Sequence, residues 1–325
     1  MTITIERFHE TAQNLLAELR RVIVGQEALI HDLVVTLLAG GNALLEGVPG
    51  LGKTLLIRTL ADALNCSFNR VQFTPDLMPA DIVGTMIITM GEGGMRGFRF
   101  ERGPIFANLV LADEINRAAP RTQSALLEAM QEGRATVAGE THQLPQPFFV
   151  LATQNPIEME GTYPLPEAQL DRFLYKINVP YPSEAELVEI ARRTTGAEVP
   201  AGKRVADGET LLAMQALARE VPVAEQVFEY AARIVGATHP GTASAPESVR
   251  RNLRVGASPR GIQALIWGGK VEALLEDRKA VAIDDIVKVA YPALRHRLIM
   301  NYEAQAEGIS PDAIITDILA AIPVG

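Results

Sequence analysis

Cysteine is almost missing from this chain: Cys66 is the single one in 325 residues, so no disulfide can close within it and nothing points to an oxidising compartment. Histidine is scarce as well. The five residues His9, His31, His142, His239 and His296 lie far apart, none with a histidine or cysteine partner at metal-ligand spacing, which argues against a zinc site. Long apolar runs are absent: no stretch approaches the ~18 residues that span a bilayer. The start, Met1 to Glu10, has no basic segment ahead of an apolar one, so the expectation is a cytoplasmic protein without a membrane segment. Excess positive charge is absent too. Lys and Arg number 30 against 39 Asp and Glu, a net charge of −9 with a pI near 5.2, and a nucleic-acid groove would have to arise by local clustering against that field. What is present is a globular composition, 48% apolar and 21% charged. At ~150 residues per domain, the length suggests two domains with their own cores.

Apolar positions recur at helical spacing from about Phe8 to Leu38, broken at Gly25, and stop at Gly40-Gly41-Asn42, which predicts two helices. Short apolar runs follow at Ala43 to Leu45, Phe68 to Phe73, Leu109 to Ala112, Phe148 to Ala152 and Leu174 to Val179. They lack strict alternation and are separated by helix-sized segments, the pattern of a buried parallel sheet in an α/β fold. Two segments interrupt it, each reading as a β-hairpin: about 85–100 around Gly91 to Gly94, and about 134–145 around Gly139-Glu140. Pro180-Tyr181-Pro182 cannot continue a helix or a central strand, and Ser183 with Glu186 forms a capping-box signature. The domain boundary is therefore expected there, with an α/β core over 1–182 and a helical domain over 183–325.

Gly47-Val48-Pro49-Gly50-Leu51-Gly52-Lys53-Thr54 fits G-x-x-x-x-G-K-[ST] between a predicted strand and the helix-forming run that starts at Leu55. Such a loop curls its backbone N–H groups toward phosphate oxygens at a positive helix end; Lys53 would reach the β- and γ-phosphates and Thr54 would ligate Mg²⁺. Sixty residues on, Asp113 and Glu114 end a buried strand, and the carboxyl ends of parallel strands share one crevice. Asp113 suits a partner of the metal ion, direct or through water, and Glu114 suits activation of an attacking water. ATP and ADP with Mg²⁺ are the ligands this pattern predicts.

Together with Thr153-Gln154-Asn155 and the run from Asp113 to Gly133, these motifs make the chain resemble the AAA+ ATPases, and the MoxR subfamily among them, over nearly its whole length. The segments Phe148 to Pro156 and Leu165 to Phe173 are similarly close to that subfamily. The resemblance implies a P-loop NTPase core with a five-stranded parallel sheet flanked by helices, and a smaller all-α lid. It also implies that Asn155 is the polar sensor residue that holds the water. Arg172 would be the arginine finger given to a neighbouring subunit's γ-phosphate, with Arg117 and Arg121 as rivals for that role. Arg260 would be the second sensor, in keeping with a cation in the first turn after Ser258-Pro259, where the helix dipole disfavours it unless an anion is near. Backbone near Ile23 and Val24 would meet the adenine; a plain helix–helix turn reads equally well there.

The same resemblance implies an oligomeric ring, a hexamer, that hydrolyses ATP and remodels a protein client, with von Willebrand factor A domain partners and metalloenzyme maturation as associated themes. In the subfamily the two hairpins correspond to the helix-2 insert and the hairpin before the first sensor. A nucleic-acid motor or transcription activator is the alternative. The near absence of net charge on the hairpins disfavours it.

Overall fold

The computed structural model describes residues 3–90, 96–156, 161–196 and 202–323. Its elements run α1 (Ile5–Val22), α2 (Glu27–Leu38), β1 (Ala43–Glu46), α3 (Lys53–Ala63), β2 (Phe68–Gln72), α4 (Pro79–Val83), β3 (Gly84–Met90), β4 (Arg96–Arg102), β5 (Leu109–Asp113), α5 (Pro120–Glu132), β6 (Arg134–Val137), β7 (Glu140–Gln143), β8 (Phe149–Gln154), α6 (Glu167–Leu170) and β9 (Tyr175–Asn178). Then follow α7 (Glu184–Thr194), α8 (Gly208–Glu220), α9 (Glu225–Ala237), α10 (Glu247–Asn252), β10 (Leu253–Val255), α11 (Pro259–Leu275), α12 (Ile283–Leu294), β11 (Ile299–Met300), α13 (Tyr302–Ala306) and α14 (Pro311–Ala321). The five predicted strands form one parallel sheet in the order β2-β5-β8-β1-β9.

Burial on both faces explains why those strands do not alternate polar with apolar. Leu44, Val110, Ala112, Val150 and Ala152 point to one side, where they meet Leu126 and Leu127 of α5. Ala43, Leu45, Leu109, Leu111, Phe149 and Leu151 point to the other, into a cluster that takes in α1 and α2 through Leu19, Ile30 and Leu33. The same cluster runs on into Leu265 of α11 and Ile286 of α12, so the helical segment after Ser183 shares its core with the sheet. Each buried valine, leucine, isoleucine or phenylalanine among them contributes about 1.5–3 kcal/mol.

The predicted cap of α7 forms: Ser183 Oγ accepts from the Glu186 N–H at 3.4 Å, and the Ser183 N–H donates to Glu186 Oε2 at 2.7 Å. Among its described residues the helical segment also carries an antiparallel ladder of β10 with β11. The helix that starts at Ile283 stops at Leu294, and the chain turns over the next four residues into that ladder. Both hairpins form, β3 with β4 and β6 with β7. The second turns at Ala138-Gly139, one residue earlier than predicted, with φ of +52° and +86°. A two-residue hairpin turn of this hand needs positive φ at both central positions, so Glu140 is drawn into the strand. Phe100 of the first hairpin stacks on His142 of the second at 3.9 Å, joining the two. The glycine-rich turn at Gly91 to Gly94 lies outside the described residues.

Three consecutive residues after α12 fasten the lid to the edge strand β9 and the segment before it. Arg295 donates to the Lys176 carbonyl at 3.0 Å, His296 Nε2 to that of Phe173 at 3.1 Å, and Arg297 to those of Phe173 and Leu174 at 2.8 and 3.1 Å. Burial holds His296 well below its usual pKa, so the ring is neutral and its Nε2–H is the donor. Tyr175, fully buried on β9, sits where Gly268 of α11 leaves room: a Cβ there would lie 1.8 Å from the phenol oxygen.

Candidate active site

The site begins where β1 meets α3. Gly50 and Gly52 hold φ of +84° and +74°, the left-handed region that glycine enters without steric cost. Gly47 is required for a different reason: a Cβ there would stand 2.7 Å from Val179 Cβ. Gly52 caps α3 with no side-chain hydrogen bond, which leaves the first-turn N–H groups of the helix for an anion.

This loop forms one wall of a cavity of about 250 Å³. Lys53 and Thr54 line it from α3, Asp113 and Glu114 from the end of β5, and Asn155 from the end of β8. The sequence reading therefore brought together residues separated by a hundred positions, because β1, β8 and β5 are neighbours and end at one edge. Lys53 Nζ donates to the Gly47 carbonyl at 2.6 Å. Burial pushes its pKa down, while Asp113, Glu114 and Glu46 oppose the shift.

Glu114 takes φ +56° in the left-handed region and is followed by a short 3-10 turn, Ile115–Arg117, so the chain bends sharply just past the strand. Thr153 fixes the two acids relative to each other: its Oγ1 donates to Asp113 Oδ1 at 2.6 Å and accepts from the Glu114 N–H at 2.8 Å. Gln72 Nε2 donates to Glu114 Oε2 at 2.9 Å and Arg117 to the same oxygen at 3.3 Å. Arg70 Nη2 donates to Asp113 Oδ2 at 2.6 Å. Sequence reasoning missed Arg70, Gln72 and Thr153, whose roles depend on β2, β5 and β8 lying side by side.

Among the described residues there is no group of three or more His, Cys, Asp or Glu that would cage a metal ion. The donor set suits magnesium all the same, since that ion is usually bound by one or two carboxylates together with substrate phosphates. Thr54 and Asp113 line the phosphate cavity and supply one hydroxyl and one carboxylate.

A second cavity of about 320 Å³ adjoins the first and shares Pro49 to Gly52 with it. Ile23 and Val24, the segment open between an adenine edge and a helix–helix turn, line it with Leu55, Tyr181, Leu187 and Ile190; of the last three, the sequence reading used only Tyr181, as a boundary signal. An apolar slot with few polar groups is what a heteroaromatic base requires. Val48 lines neither cavity.

Arg172 and Arg260 are not brought to the phosphate cavity. They line a third cavity of about 240 Å³, with Trp267 and the buried Arg297. Arg172 donates to the Leu127 carbonyl at 2.9 Å. The anion that the α11 N-terminus calls for is Asp171, which accepts from Ser258 Oγ at 2.8 Å and from Arg297 Nε at 2.8 Å and stands 3.7 Å from Arg260. The misfit that suggested a phosphate beside Arg260 is thus met within the chain. Of the rival fingers, Arg117 is engaged with Glu114 of its own site, and Arg121 is exposed at the start of α5.

Comparison with known proteins agrees with this geometry. Residues 42–175 match the model of the ATPase family associated with various cellular activities (AAA), and residues 247–318 match an AAA lid domain. The chain is 44% identical over 312 residues to Chaperone MoxR1 of Mycobacterium tuberculosis, covering 96% of this chain and 82% of that one. It is 33% identical to Protein MoxR of Paracoccus denitrificans, covering 100% and 99%. A crystal structure of a candidate ATPase from Cytophaga hutchinsonii superposes with a TM-score of 0.90 at 39% identity, covering 98% of this chain and 96% of that one.

Proposed function

This chain is an AAA+ ATPase of the MoxR type, and from that premise we propose that it hydrolyses ATP to ADP and phosphate with Mg²⁺ at the cavity between β1 and β5. The single observation that carries the reading is the convergence of Lys53, Thr54, Asp113, Glu114 and Asn155 on one cavity. The base enters the apolar slot at Val24 and Leu55, and the phosphates lie along the loop from Gly47 to Thr54. Lys53 leaves the Gly47 carbonyl for the β- and γ-phosphates. Thr54 and Asp113 hold the magnesium ion, which when bound neutralises charge on the phosphoryl oxygens.

Glu114 accepts a proton from the attacking water, and Asn155 orients that water by hydrogen bonding. Arg172 and Arg260, which share a cavity of their own, serve the γ-phosphate of a neighbouring copy in a ring of six. The turnover cycle drives remodelling of a protein client, a reading supported by the designation of the 44% identical relative as a chaperone. A von Willebrand factor A domain protein and metalloenzyme maturation are the partner and process we propose.

Glu114→Gln is the direct test. It keeps the hydrogen-bonding shape and removes the base, so turnover should fall about 10²-fold or more while ATP affinity stays within a few-fold of wild type. Turnover unchanged in this variant excludes Glu114 as the base.

A further inference from the structure

Asp113 has both carboxylate oxygens engaged by protein donors. Thr153 holds Oδ1 at 2.6 Å, and Arg70 holds Oδ2 with Nη2 at 2.6 Å and Nε at 3.2 Å. Arg70 reaches this position from the edge strand β2, whose Gln72 is paired in register with Asp113. The same Nη2 also donates to Gln72 Oε1 at 2.8 Å, and Gln72 passes the link on to Glu114 at 2.9 Å. One guanidinium therefore neutralises the metal-binding acid and, through one amide, steadies the acid proposed as base.

The contact is built to be given up. The Arg70 side chain is 48% exposed and the Asp113 side chain 17%, and an ion pair open to solvent on one side contributes little to stability. Arg70 also lines the phosphate cavity itself, so a second anion lies within the same space once a triphosphate enters.

We propose that Arg70 is a built-in counter-cation for Asp113, which holds the carboxylate while no divalent cation is bound and yields it when Mg²⁺ takes its place. This rests on the reading of the cavity as a site for magnesium-bound nucleotide. Without the guanidinium, a metal-free triphosphate would approach an Asp113 carboxylate stripped of its ion-pair partner, while Glu114 keeps Arg117. With Mg²⁺ present, the ion supplies the missing charge. Arg70 thus sets how strongly nucleotide binding depends on the metal, a positioning role separate from the chemical step.

The test is a direct binding titration by anisotropy of a fluorescent N-methylanthraniloyl ATP, in EDTA and in excess Mg²⁺, on full-length wild type, Arg70→Ala and Arg70→Lys. Arg70→Ala should weaken binding in EDTA about tenfold or more and change binding in Mg²⁺ by less than about threefold. Arg70→Lys should recover part of the loss in EDTA, because it restores charge without the guanidinium fork. Equal weakening in both media overturns the proposal in favour of an ordinary phosphate contact, and no change in either medium overturns it as well. Thermal melts of the three proteins should coincide, and an Arg70→Ala protein that has lost its cooperative melt makes the residue structural and also overturns it. Wild type that binds in neither medium removes the reading of the cavity itself, an outcome separate from any difference among the Arg70 variants.

Discussion

At the scale of single residues, the chemistry sits where a motif could announce it and is tuned where none could. Lys53 and Thr54 were legible because phosphate binding demands a fixed spacing along one strand–loop–helix unit, and Asp113 and Glu114 because two acids close a short, wholly apolar run. Thr153 was not, because its task exists only across β5 and β8, some 40 positions apart in the chain. It is buried, and its hydroxyl serves Asp113 as donor and the Glu114 N–H as acceptor. Thr153→Val keeps the shape and strands both partners, which should cost about 1–3 kcal/mol of stability. The maximal turnover rate should fall about tenfold or more through misplacement of the two acids. A thermal melt and a saturation curve read the two effects; an unaltered turnover rate would mean that the strand end alone fixes the acids.

At the scale of elements, the periodicities of α1 and α2 and the five apolar runs were readable because burial imposes them locally. The joint between α2 and α11 was not, since it depends on charged groups that periodicity marks as misfits. His31 Nε2 contacts Glu272 Oε1 at 2.6 Å, and burial holds the neighbouring Asp32 carboxyl up at about 6 against an ordinary 3.8. His31 and Arg295 favour its ionised form and Glu272 opposes it. A raised acid contributes stability in full below its unfolded value and loses it as pH climbs through the folded one. Between pH 3.8 and about 6 the fold therefore gives up about 3 kcal/mol. The hydrogen bond to Glu272 raises the His31 pKa, so its contribution is likewise lost with rising pH. Asp32→Asn should raise the melting temperature by several degrees at pH 8 and leave it nearly unchanged at pH 4, and an equal shift at both values would contradict the assignment.

At the scale of the whole molecule, the α/β pattern and the helical end were legible, but the way they join was not, because a shared core leaves no break in composition. Sequence could name Arg172 and Arg260, yet only the packing of α11 against the segment before β9 puts them in one cavity away from the phosphate loop. If they act on a neighbour, Lys53→Ala and Arg172→Ala proteins, each inactive alone, should regain activity on mixing. Random assembly leaves roughly a quarter of interfaces intact, so recovery toward that fraction of the wild-type rate is expected, and none would place both residues in one subunit's own site. The bonds from Arg295, His296 and Arg297 to the backbone of residues 173–176 bear on how such an assembly would work. Arg297 also grips Asp171, which abuts Arg172 in sequence. A rotation of α12 cannot leave that edge of the sheet behind, so in a ring with Arg172 as its finger any stroke of the lid would reach the subunit next door as a displacement of that side chain, by a lever with no free joint.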